Sequence, residues 1–205
     1  MRGIFITIEG PDGAGKTTQR ELLKEYLEKK GYDVLITRDP GGNPISEAIR
    51  EVILNKEFTE MGYMTELLLY ASARAQLVKE NIKPALEAGQ AVIADRFVDS
   101  SAVYQGIGRG VDTVYKVNEF ALQGIMPDMT FLMDLNAQEG IARKKNQAEL
   151  DRMENEKIEF HQKVVDGYRM LADMHPERIV KIDATLPINE IHGIITEYVE
   201  KKLNL

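Results

Sequence analysis

The sequence contains no cysteine among its 205 residues. Disulfide bonds, thiolate metal sites and thiol nucleophiles are therefore excluded, and the chain is compatible with a reducing compartment, so we expect a cytoplasmic location. Histidine is also scarce, because only His161, His175 and His192 occur. Their positions lack the spacing of a metal cluster, which favours surface or packing roles for each of them.

Excess positive charge and long apolar runs are missing as well. Lysine and arginine number 26 against 33 acidic residues, which gives a net charge of −7. A nucleic-acid polymer or a membrane surface requires a dominant positive field, so we expect neither as a partner. No apolar run reaches membrane-spanning length. The opening MRGIFITIEG lacks a cleavage site and leads directly into a glycine loop, so it is predicted to be a first strand.

The remaining composition, 43% hydrophobic and 29% charged, is typical of one soluble globular domain, here expected to span 1–205. Short apolar runs alternate with helical patterns, which indicates a mostly parallel five-stranded sheet with helices on both faces, an α/β fold. The predicted strands are 3–9, 33–37, 90–94, 128–135 and 178–182. The predicted helices are 16–30, 44–54, 65–87 with either a kink or a new turn at Pro84, 111–124, 138–175 and 188–202.

A phosphate-binding motif follows the first predicted strand. Residues 10–17, GPDGAGKT, match G-x-x-x-x-G-K-[ST], a loop whose backbone N–H groups cradle phosphates. Lys16 reaches the terminal phosphates, the Thr17 hydroxyl helps to hold Mg²⁺, and the helix N-terminus adds partial positive charge. The pattern predicts a three-layer P-loop NTPase fold. The predicted ATP-binding residues are Gly10, Pro11, Asp12, Gly13, Ala14, Gly15, Lys16, Thr17 and Thr18.

The phosphate loop does not by itself identify the reaction. A guanine-reading N-K-x-D motif is not supplied by residues 146–149, NQAE. An ordinary ATPase is expected to follow its third-strand aspartate with an acidic residue, whereas Asp95 is followed by Arg96. This arginine suggests a second anionic substrate.

Arginines follow two of the predicted strands. Arg38 follows strand two and Arg96 follows strand three, and the carboxyl ends of parallel strands meet at one edge of the sheet. The planar guanidinium binds phosphate oxygens in pairs, so a shared anion site is favoured. The alternative for each arginine is a salt bridge to a neighbouring carboxylate, Asp39 or Asp99.

Further polar side chains could recognise a base. Tyr70 and Arg74 are four residues apart and share a helix face, so they could stack on a base and bind its edge. Core packing for Tyr70 and a solvated charge for Arg74 are equally compatible with that spacing. Ser100, Ser101 and Gln105 could likewise read a base, or could cap and decorate a short helix.

The motifs IEGPDGAGKTTQ, TRDPGG, YASAR, ADRFVDSSAVYQG and ELDRME, taken in this order and spacing, resemble the thymidylate kinase family. The resemblance runs nearly end to end and implies transfer of the ATP γ-phosphoryl group to dTMP, with Mg²⁺ as cofactor and a homodimer as the assembly. The alternatives are a kinase of another nucleoside monophosphate and a P-loop ATPase switch.

The resemblance also implies individual roles. Asp12 would bind the deoxyribose 3′-hydroxyl, Tyr70 would stack on thymine, and residues 183–185 would lie near adenine. The implied acceptor-binding residues are Asp12, Arg38, Arg50, Tyr70, Arg74, Arg96, Ser100, Ser101 and Gln105. The implied catalytic residues are Lys16, Asp95, Arg96, Arg143 and Arg152, with Thr17 and Asp95 at the metal.

One departure within the family concerns position 13. Some members carry an arginine directly after the loop acid, whereas this chain has Gly13. The chain therefore resembles the bacterial type, in which a mobile lid supplies the arginine. Residues 143–157 are the predicted lid, with a solvated helix as the alternative on composition. Its candidate cations are Arg143, Lys144, Lys145 and Arg152.

Overall fold

The computed structural model describes residues 2–107, 110–145, 152–153 and 156–204, and only the backbone at residues 144 and 145. Five parallel strands form one sheet in the order β2-β3-β1-β4-β5. The predicted α/β class with a five-stranded parallel sheet is confirmed. The strands are β1 (Phe5–Glu9), β2 (Val34–Arg38), β3 (Ala91–Asp95), β4 (Met129–Asp134) and β5 (Ile179–Asp183).

Helices connect the strands and cover the sheet. No helix within the described part of the chain is long and apolar enough to cross a bilayer. The helices are α1 (Lys16–Lys29), α2 (Pro44–Leu54), α3 (Tyr63–Leu77), α4 (Lys83–Glu87), α5 (Val98–Tyr104), α6 (Val111–Leu122), α7 (Ala137–Lys145), α8 (Ile158–Met174) and α9 (Ile188–Leu203).

The side chains of β1 alternate between the two faces of the sheet, as the twofold period of a strand requires. Ile6 and Ile8 pack in the core that α1 and α9 complete, whereas Phe5 packs in the core on the opposite face. Thr7 and Glu9 share the face of Phe5 by this alternation. The strand therefore directs a carboxylate toward α5 and α8 at the end where ligands bind in sheets of this kind.

The predicted helix 65–87 is divided into three segments. A π-helical turn, Val78–Ile82, joins α3 to α4, and the Lys83 N–H donates to the Val78 carbonyl oxygen five residues back. Pro84 has no N–H to continue the α-helical pattern, so the wider turn accommodates it. The segment starts at Tyr63, and Pro84 lies in the first turn of a new helical segment, which is the second of the two expected arrangements.

The predicted helix 138–175 is also not continuous, because α7 ends at Lys145 and α8 begins at Ile158. Of the described residues between them, Arg152 and Met153 lie in a turn and Lys157 has an extended backbone, so the predicted helix is interrupted there. The predicted lid at 143–157 lies largely outside the described residues. The side chains described from it include those of Arg143 and Arg152.

Candidate active site

A cavity of about 530 Å³ opens at the carboxyl ends of β1, β2 and β3. The phosphate loop forms one side, and residues of α2, α3 and α5 form the other. Every residue predicted to bind the acceptor lines this cavity, together with Gly13, Gly15, Lys16, Thr17, Thr18 and Asp95 from the predicted ATP, catalytic and metal sets. The structure thus brings together side chains from six separate segments, while their binding roles stay predictions.

The phosphate loop depends on glycine for its backbone path. Gly10, Gly13 and Gly15 have φ angles of 135°, 80° and 85°, which other residues adopt at a cost. Gly15 directly precedes α1, so the first turn of that helix faces the cavity with its free N–H groups. Thr17 and Thr18 are exposed on this turn. The loop therefore has the backbone geometry of an anion site.

Lys16 is buried at the base of the loop. Its Nζ donates to the Gly10 and Pro11 carbonyl oxygens at 3.1 and 2.9 Å. Burial lowers the pKa of Lys16 to about 8, and the nearby Arg96 contributes in the same direction. An anion bound in the loop would stabilise the ammonium form of Lys16.

Arg96 forms the centre of a polar cluster on the acceptor side. Its φ angle of 69° is strained for a residue with a side chain, and such strain is often found at functional sites. Its NH2 group lies 2.6 Å from Asp12 Oδ1, and its NH1 group donates to Ser100 Oγ at 3.1 Å and to Tyr168 Oη at 2.8 Å. Asp12 therefore projects toward Arg96.

Glu9 lies behind this cluster and is almost completely buried. Its carboxylate accepts from the Phe97 backbone N–H at 2.7 Å, from Ser100 Oγ at 2.5 Å and from Tyr168 Oη at 3.0 Å. Burial, together with the charge of Asp99, raises the pKa of Glu9 to about 7. Glu9 thus braces the connection from β3 to α5 and does not line the cavity.

Arg74 is not the solvated charge that its spacing allowed. Its side chain is 1% exposed and makes a 2.5 Å ion pair from Nε to Asp39 Oδ2. NH1 donates to Asn118 Oδ1 at 2.5 Å and NH2 donates to Ser101 Oγ at 2.9 Å. Burial raises the pKa of Asp39, and its pairing with Arg74 opposes that rise. The guanidinium is fixed in the cavity wall.

The alternative in which the serines cap a short helix is wrong. The N-cap of α5 is Phe97, which makes no side-chain cap bond, and Ser100 and Ser101 lie inside the helix. Their hydroxyls instead bind arginine side chains at the cavity. Gln105 follows the helix, is 1% exposed, and donates from Nε2 to Glu66 Oε1 at 2.9 Å.

Arg38 and Arg50 reach the cavity from β2 and α2. Arg38 does form an ion pair, but with Glu47 at 2.8 Å rather than with Asp39 or Asp99. Arg50 NH1 donates to the Pro40 carbonyl oxygen at 2.9 Å, and the preceding Asp39–Pro40 peptide is cis. Half-buried Tyr70 lines the same wall.

The two predicted metal ligands lie beside the phosphate loop. Thr17 is exposed at the start of α1, and the partly buried Asp95 carboxylate at the end of β3 lies 3.7 Å from Arg20 NH1. Both line the cavity. Within the described ranges, no group of three or more histidine or acidic side chains is placed to hold a metal by itself.

The two lid arginines contact other parts of the protein in this structure. Arg143 pairs with Glu139 at 2.5 Å and donates to the Ala184 carbonyl oxygen at 3.1 Å, within the loop predicted to lie near adenine. Arg152 pairs with Glu66 at 2.5 Å and donates to the Ile53 carbonyl oxygen at 3.0 Å. Their roles at the phosphates stay predictions. The side chains of Lys144 and Lys145 lie outside those described.

Sequence reasoning missed several residues at this site. Tyr168 of α8 contacts Arg96, Ser100 and Glu9, although it is 72 residues or more from Arg96 and Glu9. Tyr104 lies within a motif already quoted, and its ring packs under the Arg96 guanidinium at 5.2 Å. Only the position of Tyr104 inside ADRFVDSSAVYQG could have identified it, because a helix pattern alone marks Tyr168 as core.

Comparisons with known proteins show which sequences and which fold this chain resembles. The family model described as thymidylate kinase matches residues 8–195. A thymidylate kinase of Geobacillus thermodenitrificans is 51% identical over 195 residues, covering 93% of this chain and 87% of that protein. One from an Exiguobacterium species is 46% identical over 205 residues, covering 99% and 97%. The crystal structure of thymidylate kinase from Ehrlichia chaffeensis superposes with a TM-score of 0.79 at 30% identity, covering 98% of this chain and 100% of that one.

Proposed function

The chain belongs to the thymidylate kinase family, and from this premise we propose that it transfers the γ-phosphoryl group of ATP to dTMP, forming dTDP for dTTP synthesis. The observation that carries the proposal is a single cavity with a phosphate loop on one side and a set of arginines with a base-sized wall on the other. A cavity of about 530 Å³ is within the usual range for small-molecule sites.

The acceptor phosphate is held by arginines at the strand ends. Arg96 is anchored by Asp12, Ser100 and Tyr168, so its guanidinium is oriented before the ligand arrives. Arg38 and Arg50 line the same part of the cavity and add positive charge. Fixed charges of this kind lower the reorganisation needed during phosphoryl transfer.

The cavity wall formed by Arg74, Gln105 and Tyr70 is complementary to thymine in its hydrogen-bonding groups. Arg74 supplies only donors, and the buried Gln105 Oε1 atom, which has no partner within the described part of the chain, can accept. Thymine offers an acceptor at O4 next to a donor at N3–H, so the two sets match. Tyr70 supplies an aromatic surface for stacking, and the Asp12 carboxylate is available to the 3′-hydroxyl of the sugar.

The catalytic mechanism rests on positioning and charge. We propose that Lys16 binds the ATP phosphates, that Arg96 and Arg38 hold the acceptor in line, and that Asp95 orients the reacting groups. The oxygens of Thr17 and Asp95 fit Mg²⁺, which prefers hard oxygen ligands and keeps water and substrate phosphates in its shell. When bound, the ion would neutralise charge on the phosphates.

The predicted lid and the loop at 183–185 complete the proposed enzyme. We propose one domain over 1–205 with a lid at about 143–157 whose Arg143 or Arg152 reaches the transferring phosphate on closure. We also propose that residues 183–185 contact adenine and that the enzyme works in the cytoplasm. The ion pairs of Arg143 and Arg152 would then have to open before either arginine acts.

A homodimer is the proposed assembly. Three neighbouring helices, with α3 packed against both α2 and α6, carry large exposed apolar side chains. We propose that these side chains share one surface, which we name the apolar helix face; its members are Ile45, Val52, Met64, Leu68 and Phe120. Apolar area of this kind on a soluble protein commonly marks an interface.

A panel of acceptors tests the function. ATP turnover is followed in a coupled assay with dTMP, dUMP, dCMP and dGMP and with no acceptor. We expect dTMP to give the highest kcat/KM and the reaction without acceptor to be negligible. ATP hydrolysis that no monophosphate stimulates would contradict the proposal, as would a preference for dCMP or dGMP.

A further inference from the structure

Gln105 has two different ends, and only one of them is bonded. Its side chain is 1% exposed, Nε2 donates to Glu66 Oε1 at 2.9 Å, and Oε1 has no hydrogen-bond partner among the residues that the structure describes. An amide can rotate by half a turn and exchange its donor and acceptor ends at little steric cost. Some neighbour must therefore determine which end faces the cavity.

Glu66 supplies this determinant. An ionised carboxylate has only acceptor oxygens, so it can bond the NH₂ end of Gln105 and would repel the carbonyl end. Glu66 is itself buried in α3, so water does not readily substitute as a partner. The orientation of the amide thus follows from the chemistry of the pair.

Arg152, a residue of the predicted lid, contacts the other oxygen of Glu66. Its NH2 group lies 2.5 Å from Glu66 Oε2, so the two carboxylate oxygens have separate partners. Arg152 is also held by the Ile53 carbonyl oxygen at the end of α2. Gln105 and Arg152 thus contact different oxygens of Glu66, so the hydrogen bond to Gln105 does not require Arg152 to stay in place.

We propose that Glu66 is a positioning residue for base specificity: it holds the Gln105 amide with its carbonyl oxygen toward the cavity, so that the acceptor nucleotide must present an N–H at this point. This inference rests on the proposed function and deepens it. The 4-oxo pyrimidines, thymine and uracil, carry N3–H and fit. Cytosine carries no hydrogen on N3, so its N3 lone pair would face the Gln105 carbonyl oxygen. The repulsion between these two acceptors excludes dCMP.

The test exchanges the two side chains of the pair. Three variants are compared with the wild type: Glu66→Gln, Gln105→Glu, and both together. In each, kcat/KM is measured for dTMP and dCMP, with KM for ATP and a thermal melt as companions. A matched control, Glu60→Gln, removes one exposed glutamate close to the start of α3.

In Glu66→Gln, the introduced amide can accept as well as donate, so Gln105 is free to turn. We expect the dTMP to dCMP ratio of kcat/KM to fall at least tenfold, mainly through KM, with KM for ATP unchanged. In Gln105→Glu, two carboxylates face each other, and dTMP use falls about a hundredfold. In the double variant the introduced amide at position 66 donates to the introduced carboxylate at 105, whose outer oxygen again only accepts.

The double variant should therefore recover the wild-type ratio to within about threefold, which a merely structural role for Glu66 would not produce. The inference is overturned if Glu66→Gln keeps the wild-type ratio, or if the double variant is no more selective than either single one. If Gln105→Glu does not fold, the other two variants still decide. A wild-type enzyme inactive on dTMP would instead refute the proposed function.

Discussion

Glu9 shows how one buried carboxylate can organise a site without touching a ligand. It accepts three hydrogen bonds from two segments that are distant in sequence, the Phe97–Ser100 turn and Tyr168. These partners in turn hold Arg96, which has a strained backbone. The cost of burying the carboxylate is expressed in its pKa of about 7. The site thus contains a carboxylate that is costly to ionise, next to the side chains that hold Arg96.

Replacing Glu9 with glutamine should remove a pH dependence of stability. The unfolded pKa is 4.5 and the folded pKa is about 7, so the folded state holds this proton more tightly. The stability that protonated Glu9 contributes to the folded state is therefore fully present below pH 4.5. It is lost as the pH rises to about 7, which lowers the free energy of unfolding by roughly 3 kcal/mol. Urea unfolding of both proteins at pH 5 and pH 8 measures this difference.

We expect Glu9→Gln to gain stability relative to the wild type as the pH rises through this window, because the amide mimics the protonated acid. Its oxygen can still accept from the Phe97 N–H, while its nitrogen donates to the hydroxyls. The exposed Glu60→Gln variant should show no such change. Parallel curves for Glu9→Gln and the wild type would be inconsistent with a raised pKa at Glu9.

Asp12 is an acid within an anion-binding loop, and its environment explains the apparent conflict. Its carboxylate pairs with Arg96 at 2.6 Å, whereas Lys16 Nζ is 3.9 Å away. We expect Asp12→Asn to lower kcat/KM for dTMP tenfold to a hundredfold, on the order of 1.5–3 kcal/mol for hydrogen bonds to a charged group. KM for ATP should change by less than about threefold. Steady-state kinetics with each substrate varied check this, and equal losses for both substrates would contradict it.

At the scale of elements, α7 is packed directly on the phosphate loop. A side-chain carbon at Gly140 would meet the Asp12 carbonyl oxygen at 2.6 Å, and one at Gly13 would overlap the Gly140 carbonyl. The two glycines therefore allow backbone to approach backbone. An arginine at position 13 does not fit this arrangement, which gives a packing reason for Gly13 beyond the absence of a loop arginine.

Gly140→Ala should displace α7 from the loop. Alanine favours an isolated helix by about 0.5–1 kcal/mol, but the contact here is with rigid backbone. We expect kcat/KM for ATP to fall on the order of tenfold to a hundredfold, since small displacements of catalytic groups have effects of this size. Kinetics and a thermal melt provide the measurement.

The matched control is Gly193→Ala in α9, where an added carbon meets no atom within 4 Å. This variant should be active and slightly more stable, by about 0.5–1 kcal/mol. If Gly140→Ala behaves in the same way as Gly193→Ala, the close contact between α7 and the loop has no functional consequence.

At the scale of the whole molecule, the apolar helix face predicts self-association. Phe120 is 88% exposed and Leu68 is 50% exposed, which is costly for a monomer in water. We expect sedimentation to show a dimer for the wild type and a monomer for Leu68→Glu combined with Phe120→Glu, because a buried unpaired charge opposes association. A wild-type monomer would remove the proposal, and Met170→Glu, on α8, serves as an exposed control.

Much of the fold follows from local patterns, because apolar runs and glycine stops are short-range signals. The positions of Arg38, Arg96 and the phosphate loop after predicted parallel strands also indicated correctly that all three meet at one edge of the sheet. The sequence could not tell whether Arg74 is buried, since its ion pair with Asp39 spans 35 residues. Glu66 and Tyr168 carried no signal, because helix periodicity assigns both simply to a packed face.

What the sequence by itself determined is the chemistry of contiguous segments: the glycine loop with Lys16, the alternation of strands and helices, and the family motifs. Only the tertiary structure decided how distant polar groups are paired, such as Glu9 with Tyr168, and Glu66 with both Gln105 and Arg152. The reason is physical. Local conformation depends on neighbours in the chain, whereas the partner of a buried polar group depends on which segments the folded core brings within hydrogen-bonding distance.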